Sequence, residues 1–399
     1  MSEQQKSKET LIMEEDGNYI APIYSRYPLV LEKGKGVTVW DAEGRSYLDF
    51  TSGIGVNCLG FCDEAWGEAV FQQLKTLQHC SNLYYTKPAI QLAKLLTQRT
   101  GMRKVFFCNS GAEANECAIK IARKHGNAKG KGADIITLWD SFHGRTMATI
   151  TATGQEHYHH HFHPFVPGFH YVTPRLEEVK DKLDQGACGI LLEIIQGEGG
   201  VRVLAPEFLK GAADLCRKRG ALFMVDEVQT GTGRTGALFA YQKLGLKPDL
   251  VTFAKGMGGG LPMGGVLMNR VTENVLVPGD HGTTFGANPA ICAGALEVLN
   301  RLTPEFLEEV NGKGEYLRDG LLSIPGVEDV EGMGLMWGFR VRGKAVKEVV
   351  AAALPLGLLL LTAQDKIRLL PPLIISVEEL EKGLKILQKA IGGKTELVV

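Results

Sequence analysis

Residues 220–262 read GALFMVDEVQTGTGRTGALFAYQKLGLKPDLVTFAKGMGGGLP, and this stretch decides the fold. Two apolar runs inside it each end on a reactive side chain. Ala221-Leu222-Phe223-Met224-Val225 stops at Asp226. Asp249-Leu250-Val251-Thr252-Phe253-Ala254 stops at Lys255 and continues into Gly256, Gly258, Gly259 and Gly260. Uninterrupted apolar runs suit strands covered on both faces, as in parallel α/β sheets. In such sheets ligands gather at the carboxyl ends of the strands. Asp226 and Lys255 are therefore expected to face one crevice.

A carboxylate and an amine at neighbouring strand ends suit pyridoxal phosphate, which is held by a lysine and an acidic partner on its pyridine nitrogen. The lysine must shed a proton to attack an aldehyde, and burial near other cations lowers its pKa. Asp226 would keep the pyridine nitrogen protonated, and Gln229 could hydrogen-bond the ring hydroxyl oxygen. A plain buried Asp–Lys ion pair fits the same pattern.

Two other readings of the stretch stay on the table. LFMVDE has the shape of a Mg²⁺-holding Walker B strand, which requires a P-loop elsewhere in the chain. The nearest match, Gly338-Phe339-Arg340-Val341-Arg342-Gly343-Lys344, is followed by Ala345 where Mg²⁺ needs a hydroxyl. Gly231-Thr232-Gly233-Arg234-Thr235-Gly236 is a formal dinucleotide fingerprint for an NAD-dependent dehydrogenase. That motif wants its first glycine directly after the strand, and here Glu227 to Thr230 intervene.

With these residues in view, the chain resembles the class-III pyridoxal-phosphate-dependent aminotransferases of fold type I. The motifs that carry the likeness include SNLYYTKP, FFCNSGAEANE, SFHGRT, QGEGGV, VDEVQTGTGRTG, AKGMGGGLPMG, HGTTFGANP and IRLLPPLIIS, in one order along nearly the whole chain. The resemblance implies a large domain with a mostly parallel central sheet and a smaller α+β domain. We place the divisions at 1–77 (arm and hairpin, belonging to the small domain), 78–280 (large cofactor-binding domain) and 281–399 (small domain). It implies a homodimer with a composite active site.

The resemblance also assigns residues. Lys255 carries the cofactor and is the catalytic base. Gly111 and Ala112 bind its phosphate, at a helix start whose free N–H groups and dipole favour anions. Phe142 stacks on one ring face and Val228 packs the other, while Asp226, Glu227 and Gln229 complete the cofactor contacts. Thr284 reaches the phosphate of the other subunit, and Thr283 lies near substrate. Arg145 and Arg368 offer guanidinium forks for carboxylates. Glu198 serves as the resting partner of Arg368, and Tyr24 of the N-terminal arm approaches the substrate. The implied donor is N2-acetylornithine, reacting at its δ-amine, with 2-oxoglutarate as acceptor, in arginine biosynthesis. Succinylornithine, ornithine, 4-aminobutyrate and an aminoadipate-semialdehyde intermediate remain open as partners, as does a silent relative that binds the cofactor or acts as a scaffold. Three positions depart from the family pattern: Phe61 where histidine is frequent, Ile194 where proline is common, and Ala287 where glycine is usual.

Composition agrees with a soluble enzyme. In 399 residues, Lys and Arg total 44 against 45 Asp and Glu, so no basic surplus points to nucleic acid or anionic membrane. The eight cysteines form no C-x-x-C pair, and a reducing cytoplasm is the expected compartment. The longest apolar stretch, Val349 to Leu361, contains Pro355 and Gly357 and falls short of the roughly 20 residues of a membrane span.

In chain order, Met1 to about Asn18 reads as polar and loose at its start. Val37–Trp40 and Arg45–Asp49 read as a hairpin about Asp41-Ala42-Glu43-Gly44. Helices are expected over Glu64–Leu77, after Ser110, over Phe208–Arg219, over Pro304–Leu322 and after the capping box Ser376-Val377-Glu378-Glu379. Strands are expected at Val105–Phe107, Ile135–Leu138, Gly189–Ile195, Leu335–Val341 and Gly357–Thr362. His157-Tyr158-His159-His160-His161-Phe162-His163 reads as a loop able to hold a metal only adventitiously, and no metal site is assigned.

Overall fold

The computed structural model describes residues 7–392. Its central sheet has seven strands in the order Lys104–Cys108, Gly264–Met268, Leu250–Phe253, Leu222–Asp226, Gly189–Glu193, Ile135–Leu138 and Phe169–Val172. Only Gly264–Met268 runs antiparallel to its neighbours. The helices Gly111–Ala128, Leu176–Asp184 and Pro206–Arg219 lie between successive strands in the chain, as parallel crossovers require.

The apolar runs are continuous because each strand is buried on both sides. Leu222 and Met224 pack with Ile135, Leu191 and Leu250 against Ala114, Ala118 and Ile121 of the Gly111–Ala128 helix. Phe223 and Val225 belong to the second core, with Ile190, Leu192 and Val251 and with Phe208, Leu209 and Cys216 of the Pro206–Arg219 helix. The strand period of two thus sorts one sequence run into two cores. Register aligns the strand ends. Asp226 pairs with Thr252 on one side and with Glu193 on the other.

Two smaller sheets flank this core. Leu31–Lys35, Thr38–Asp41 and Ser46–Asp49 form a meander, whose turn is tied by Asp41 Oδ1 accepting from the N–H groups of Glu43 and Arg45 at 3.0 and 2.8 Å. Val327–Met333, Met336–Val341, Lys366–Leu369 and Leu361–Ala363 form an antiparallel sheet. The strand expected at Gly357–Thr362 is broken at Leu360. Leu358–Leu359 adds in parallel to Ser46–Asp49, and Leu361–Ala363 pairs with Lys366–Leu369.

Other expectations need correction. The polar N-terminal segment, expected to be loose at its start, forms a helix not expected from the sequence, Lys8–Tyr19, capped by Ser7 Oγ accepting from Thr10 N at 3.2 Å. It is held by a buried carboxylate rather than an apolar stripe, with Arg45 Nη2 3.3 Å from Glu9 Oε2. Residues 1–6 lie outside the described residues. The candidate P-loop is no loop, because Gly338 to Val341 lie in the paired strand Met336–Val341.

The candidate dinucleotide fingerprint is a structural staple. Arg234 is buried, and its Nη1 donates to Leu335 O at 3.0 Å and to Pro371 O. It joins the segment after the Asp226 strand to the small sheet, and burial pulls its pKa down to about 10. Replacing Arg234 with Met leaves two buried carbonyls short of a charged donor. Unfolding free energy should fall by about 2–4 kcal/mol, from hydrogen-bond loss and unmet acceptors. A urea midpoint equal to that of the parent would show that the staple contributes nothing.

Candidate active site

Asp226 and Lys255 line one cavity of about 500 Å³ at the carboxyl ends of the sheet. They do not pair with each other. Asp226 Oδ2 accepts from His143 Nδ1 at 2.8 Å and from Asn115 Nδ2 at 2.7 Å, and Oδ1 accepts from Val228 N at 3.0 Å. A carboxylate has about four acceptor positions, so Asp226 keeps capacity for one further donor. Lys255 follows the Leu250–Phe253 strand and sits at a φ of 45°. The left-handed backbone turns the chain sharply into the short helical turn Lys255–Gly258. Its amine makes no hydrogen bond or ion pair with the described residues. Burial draws its pKa down to about 8; Glu198, Asp226 and Glu193 oppose that fall and Arg368 assists it.

The third strand end carries Glu193. It is in register with Asp226, so the two side chains leave the sheet on one face. Glu193 Oε2 accepts from Phe142 N at 2.9 Å and Oε1 from Gly197 N at 3.3 Å. Burial, with the Asp226 charge beside it, raises its pKa well above the usual carboxylate range.

One end of the cavity is built for an anion. The Gly111–Ala128 helix starts there, capped by Ser110 Oγ accepting from Glu113 N at 3.2 Å. The first-turn N–H groups of Gly111 and Ala112 have no carbonyl within the helix to bond. Gly111 is required, since a Cβ there would lie 2.7 Å from Val228 Cγ1. Phe142, on the loop after Ile135–Leu138, and Val228, after Asp226, also line the cavity.

The two arginines differ in state. Arg145 lines the cavity and pairs with no carboxylate among the described residues. Its Cζ lies 3.9 Å from the Tyr158 ring centroid and 5.3 Å from that of Phe142. Arg368 is buried, and its Nη1 is 2.6 Å from Glu198 Oε1 and 3.1 Å from Gln229 Oε1. Gln229 lines the cavity, so its amide joins the Arg368–Glu198 pair to the cofactor end.

Arg368 and Glu198 reach the cavity only through Gln229, and four further assigned residues lie elsewhere. Glu227 does not line the cavity. One step along the chain from Asp226, its carboxylate accepts from Thr230 Oγ1 at 2.5 Å and Tyr241 N at 2.7 Å, and burial raises its pKa to about 7. Alternation at the strand end sends adjacent side chains to opposite faces. Tyr24 is 68% exposed and stacks with Arg26, whereas Tyr27, three residues on, feels the Arg368 charge. Thr283 Oγ1 accepts from Asn109 Nδ2 at 3.1 Å outside the cavity wall, and Thr284 is exposed. Ala287 beside them has a φ of 63°, the left-handed region that glycine occupies at no steric cost.

Sequence reasoning missed His143, Asn115 and Glu193. Glu193 interrupts the apolar run Gly189–Ile195, and a lone carboxylate inside a run buried on both faces was the available signal. His143 lies within SFHGRT, yet nothing in its spacing points across the fold to Asp226. Asn115 is a polar residue on the buried face of its helix, an anomaly that marks a partner.

These residues fit pyridoxal phosphate. An unpaired amine, a carboxylate with one acceptor position left, a helix start without acceptors and a flat aromatic wall answer its aldehyde, ring nitrogen, phosphate and ring face. The sheet and this constellation define an α/β enzyme of fold type I that uses pyridoxal phosphate. The chain belongs to the class-III aminotransferases: the family model "Aminotransferase class-III" matches residues 19–391. It is 50% identical over 382 residues to an acetylornithine aminotransferase of Haemophilus ducreyi, covering 94% of this chain and 97% of that one. A second acetylornithine aminotransferase, of Caldanaerobacter subterraneus subsp. tengcongensis, is 46% identical over 383 residues, with 94% and 97% covered. Among solved structures, the ornithine aminotransferase of Toxoplasma gondii ME49 superposes with a TM-score of 0.93 at 30% identity, covering 97% and 96% of the two chains. The acetylornithine aminotransferase of Elizabethkingia anophelis gives 0.87 at 32% identity, with 97% and 99% covered.

The lowered pKa of Lys255 sets a pH profile. Only the neutral amine attacks an aldehyde, so the initial rate of Lys255 modification by pyridoxal phosphate in cofactor-free protein should rise tenfold per pH unit below about 8 and level off above it. Borohydride trapping with peptide mapping reads this. A rate still climbing tenfold per unit at pH 9.5, as expected of an ordinary lysine at about 10.4, would contradict the assignment.

Proposed function

We propose that the enzyme transfers the δ-amino group of N2-acetyl-L-ornithine to 2-oxoglutarate, giving N-acetyl-L-glutamate 5-semialdehyde and L-glutamate, a step of arginine biosynthesis. The observation that carries this reading is the unequal state of the two arginines. A donor with one carboxylate needs one fork, and Arg145 is open while Glu198 closes Arg368. An acceptor with two carboxylates needs both, and displaces Glu198 to gain the second. The near full-length likeness to acetylornithine aminotransferases supports the donor.

Bound pyridoxal phosphate supplies the electron sink for the pair left when the substrate C–H proton departs. The chain supplies the rest. Gly111 and Ala112 would hold the phosphate, and Phe142 and Val228 would flank the ring. Asp226, aimed by His143 and Asn115, would keep the ring nitrogen protonated. Lys255, near pKa 8, would take the proton from the substrate carbon and return it, as a base poised close to working pH can.

The same reading makes the enzyme a cytoplasmic homodimer, with Thr284 reaching the partner's phosphate. Its support is an exposed apolar surface: Leu83, Tyr85 and Phe285 are 86%, 97% and 61% exposed, and surfaces of this kind mark protein interfaces. All eight cysteines are free, and no described helix is long and apolar enough to cross a membrane.

Holoenzyme given N2-acetylornithine and 2-oxoglutarate should form glutamate, whereas a Lys255→Ala variant with an unchanged thermal midpoint should form none. Ornithine, N2-succinylornithine and 4-aminobutyrate run in parallel should each give a lower kcat/KM. A higher value with ornithine would replace the proposed donor.

A further inference from the structure

The histidine-rich tract after Gln155 has no part in the chemistry above, yet it delivers one side chain to the site. Glu156–Tyr158 is a short 3-10 turn, with Tyr158 N donating to Gln155 O at 3.1 Å. The turn is fixed at both ends. Gln155 is buried and its Nε2 donates to Ser141 O at 3.0 Å, on the loop that carries Phe142 and Arg145. His159 Nε2 donates into the carbonyls of Ile150 and Thr153, at 3.0 and 2.8 Å. One tract histidine thus works as an anchor. His157 packs against Tyr158, their ring centroids 3.8 Å apart.

The ring so mounted faces Arg145. The guanidinium carbon stands 3.9 Å from the Tyr158 centroid, and the Phe142 ring meets Tyr158 edge-on at 5.5 Å and 70°. Arg145 therefore rests in a corner of two aromatic rings, one of which lines the cavity while the other stands behind it. An arginine without a carboxylate partner has many rotamers, and ordering it costs binding free energy each time a ligand arrives. An aromatic face holds the planar fork in place without consuming its N–H groups. Burial raises the Tyr158 pKa and the Glu198 charge adds to that rise, while the charges of Arg145 and Arg368 and a hydrogen bond with the Arg145 side chain oppose it.

We propose that Tyr158 is a positioning residue that preorganises Arg145 for the carboxylate of the substrate, and so favours carboxylate-bearing ligands over uncharged ones. The proposal rests on the reading of Arg145 as the open carboxylate fork. It does not depend on which donor is used.

The test uses holoenzyme and glutarate, an unreactive dicarboxylate, with binding read by calorimetry. Tyr158→Leu should weaken glutarate binding roughly 3- to 5-fold, the size of a partly exposed cation–π contact. Tyr158→Phe, which keeps the ring, should stay within about twofold of the parent. In an Arg145→Met background the Tyr158→Leu change should have no further effect, because coupled residues do not add. In steady state, KM for 2-oxoglutarate should rise by the same factor with kcat within about twofold. Should the leucine variant fail to fold, Tyr158→Met fills the volume without an aromatic face and should behave as predicted for leucine. Unchanged glutarate binding in the leucine or methionine variant would overturn the proposal. So would an equal loss in the Arg145→Met background, or a phenylalanine variant as weak as leucine. Poor turnover of N2-acetylornithine by the parent enzyme, with this coupling intact, would instead count against the proposed donor alone.

Discussion

A carboxylate buried inside a protein, without the obvious cation taking it, is the constraint on which the site depends. Burying a charge is costly unless hydrogen bonds replace its water. Asp226 gains three, from His143, Asn115 and Val228. None comes from Lys255, which leaves that amine free and, by the same burial, weakly basic. The parallel register makes this possible. It brings the ends of three strands level, with Glu193 directly beside Asp226. A second ionised carboxylate there would be repelled, and Glu193 answers by holding its proton more tightly while its oxygens fix the backbone of Phe142 and Gly197.

The substrate end applies the same electrostatics with the opposite outcome. Arg368 is buried and pairs with Glu198, so the resting pocket shows little net charge there. Arg145 has no carboxylate partner among the described residues and rests against the rings of Tyr158 and Phe142. Gln229 touches Arg368 while lining the cavity, so a change at the arginine is felt at the ring-binding end through one amide. The two halves of the site belong to different sheets, and Arg234 joins them by clamping the carbonyls of Leu335 and Pro371.

Much of this was legible in the sequence. Strand burial on two faces leaves a continuous apolar run, and a run that stops on Asp226 or Lys255 marks a functional end. Helix caps were legible because they are local: Ser110 and the Ser376–Glu379 box satisfy N–H groups three residues away. What sequence could not supply was contact between distant segments. His143 meets Asp226 across 83 positions, and no periodicity encodes that. Glu227 was misassigned because it neighbours a site residue, although alternation at a strand end should have sent it to the other face. Tyr24 lies on an arm without strand pairing, where no period singles out one tyrosine over another. The broken strand at Leu360 reads as one apolar run because leucine fills Leu358 to Leu361 without a break; only partner choice divides them.

That division has a consequence for how the chain is made. Leu358–Leu359 completes the sheet begun by Ser46–Asp49, with Leu48 and Leu358 paired roughly 310 residues apart. Translation at about 5–20 residues per second separates the two by on the order of 15–60 s. Throughout that interval the newborn meander presents an unpaired edge, and Phe50, fully buried at the end, has no cover. Exposed edges template wrong pairings, so the Ser46–Asp49 edge is a liability until Leu358–Leu359 has been made.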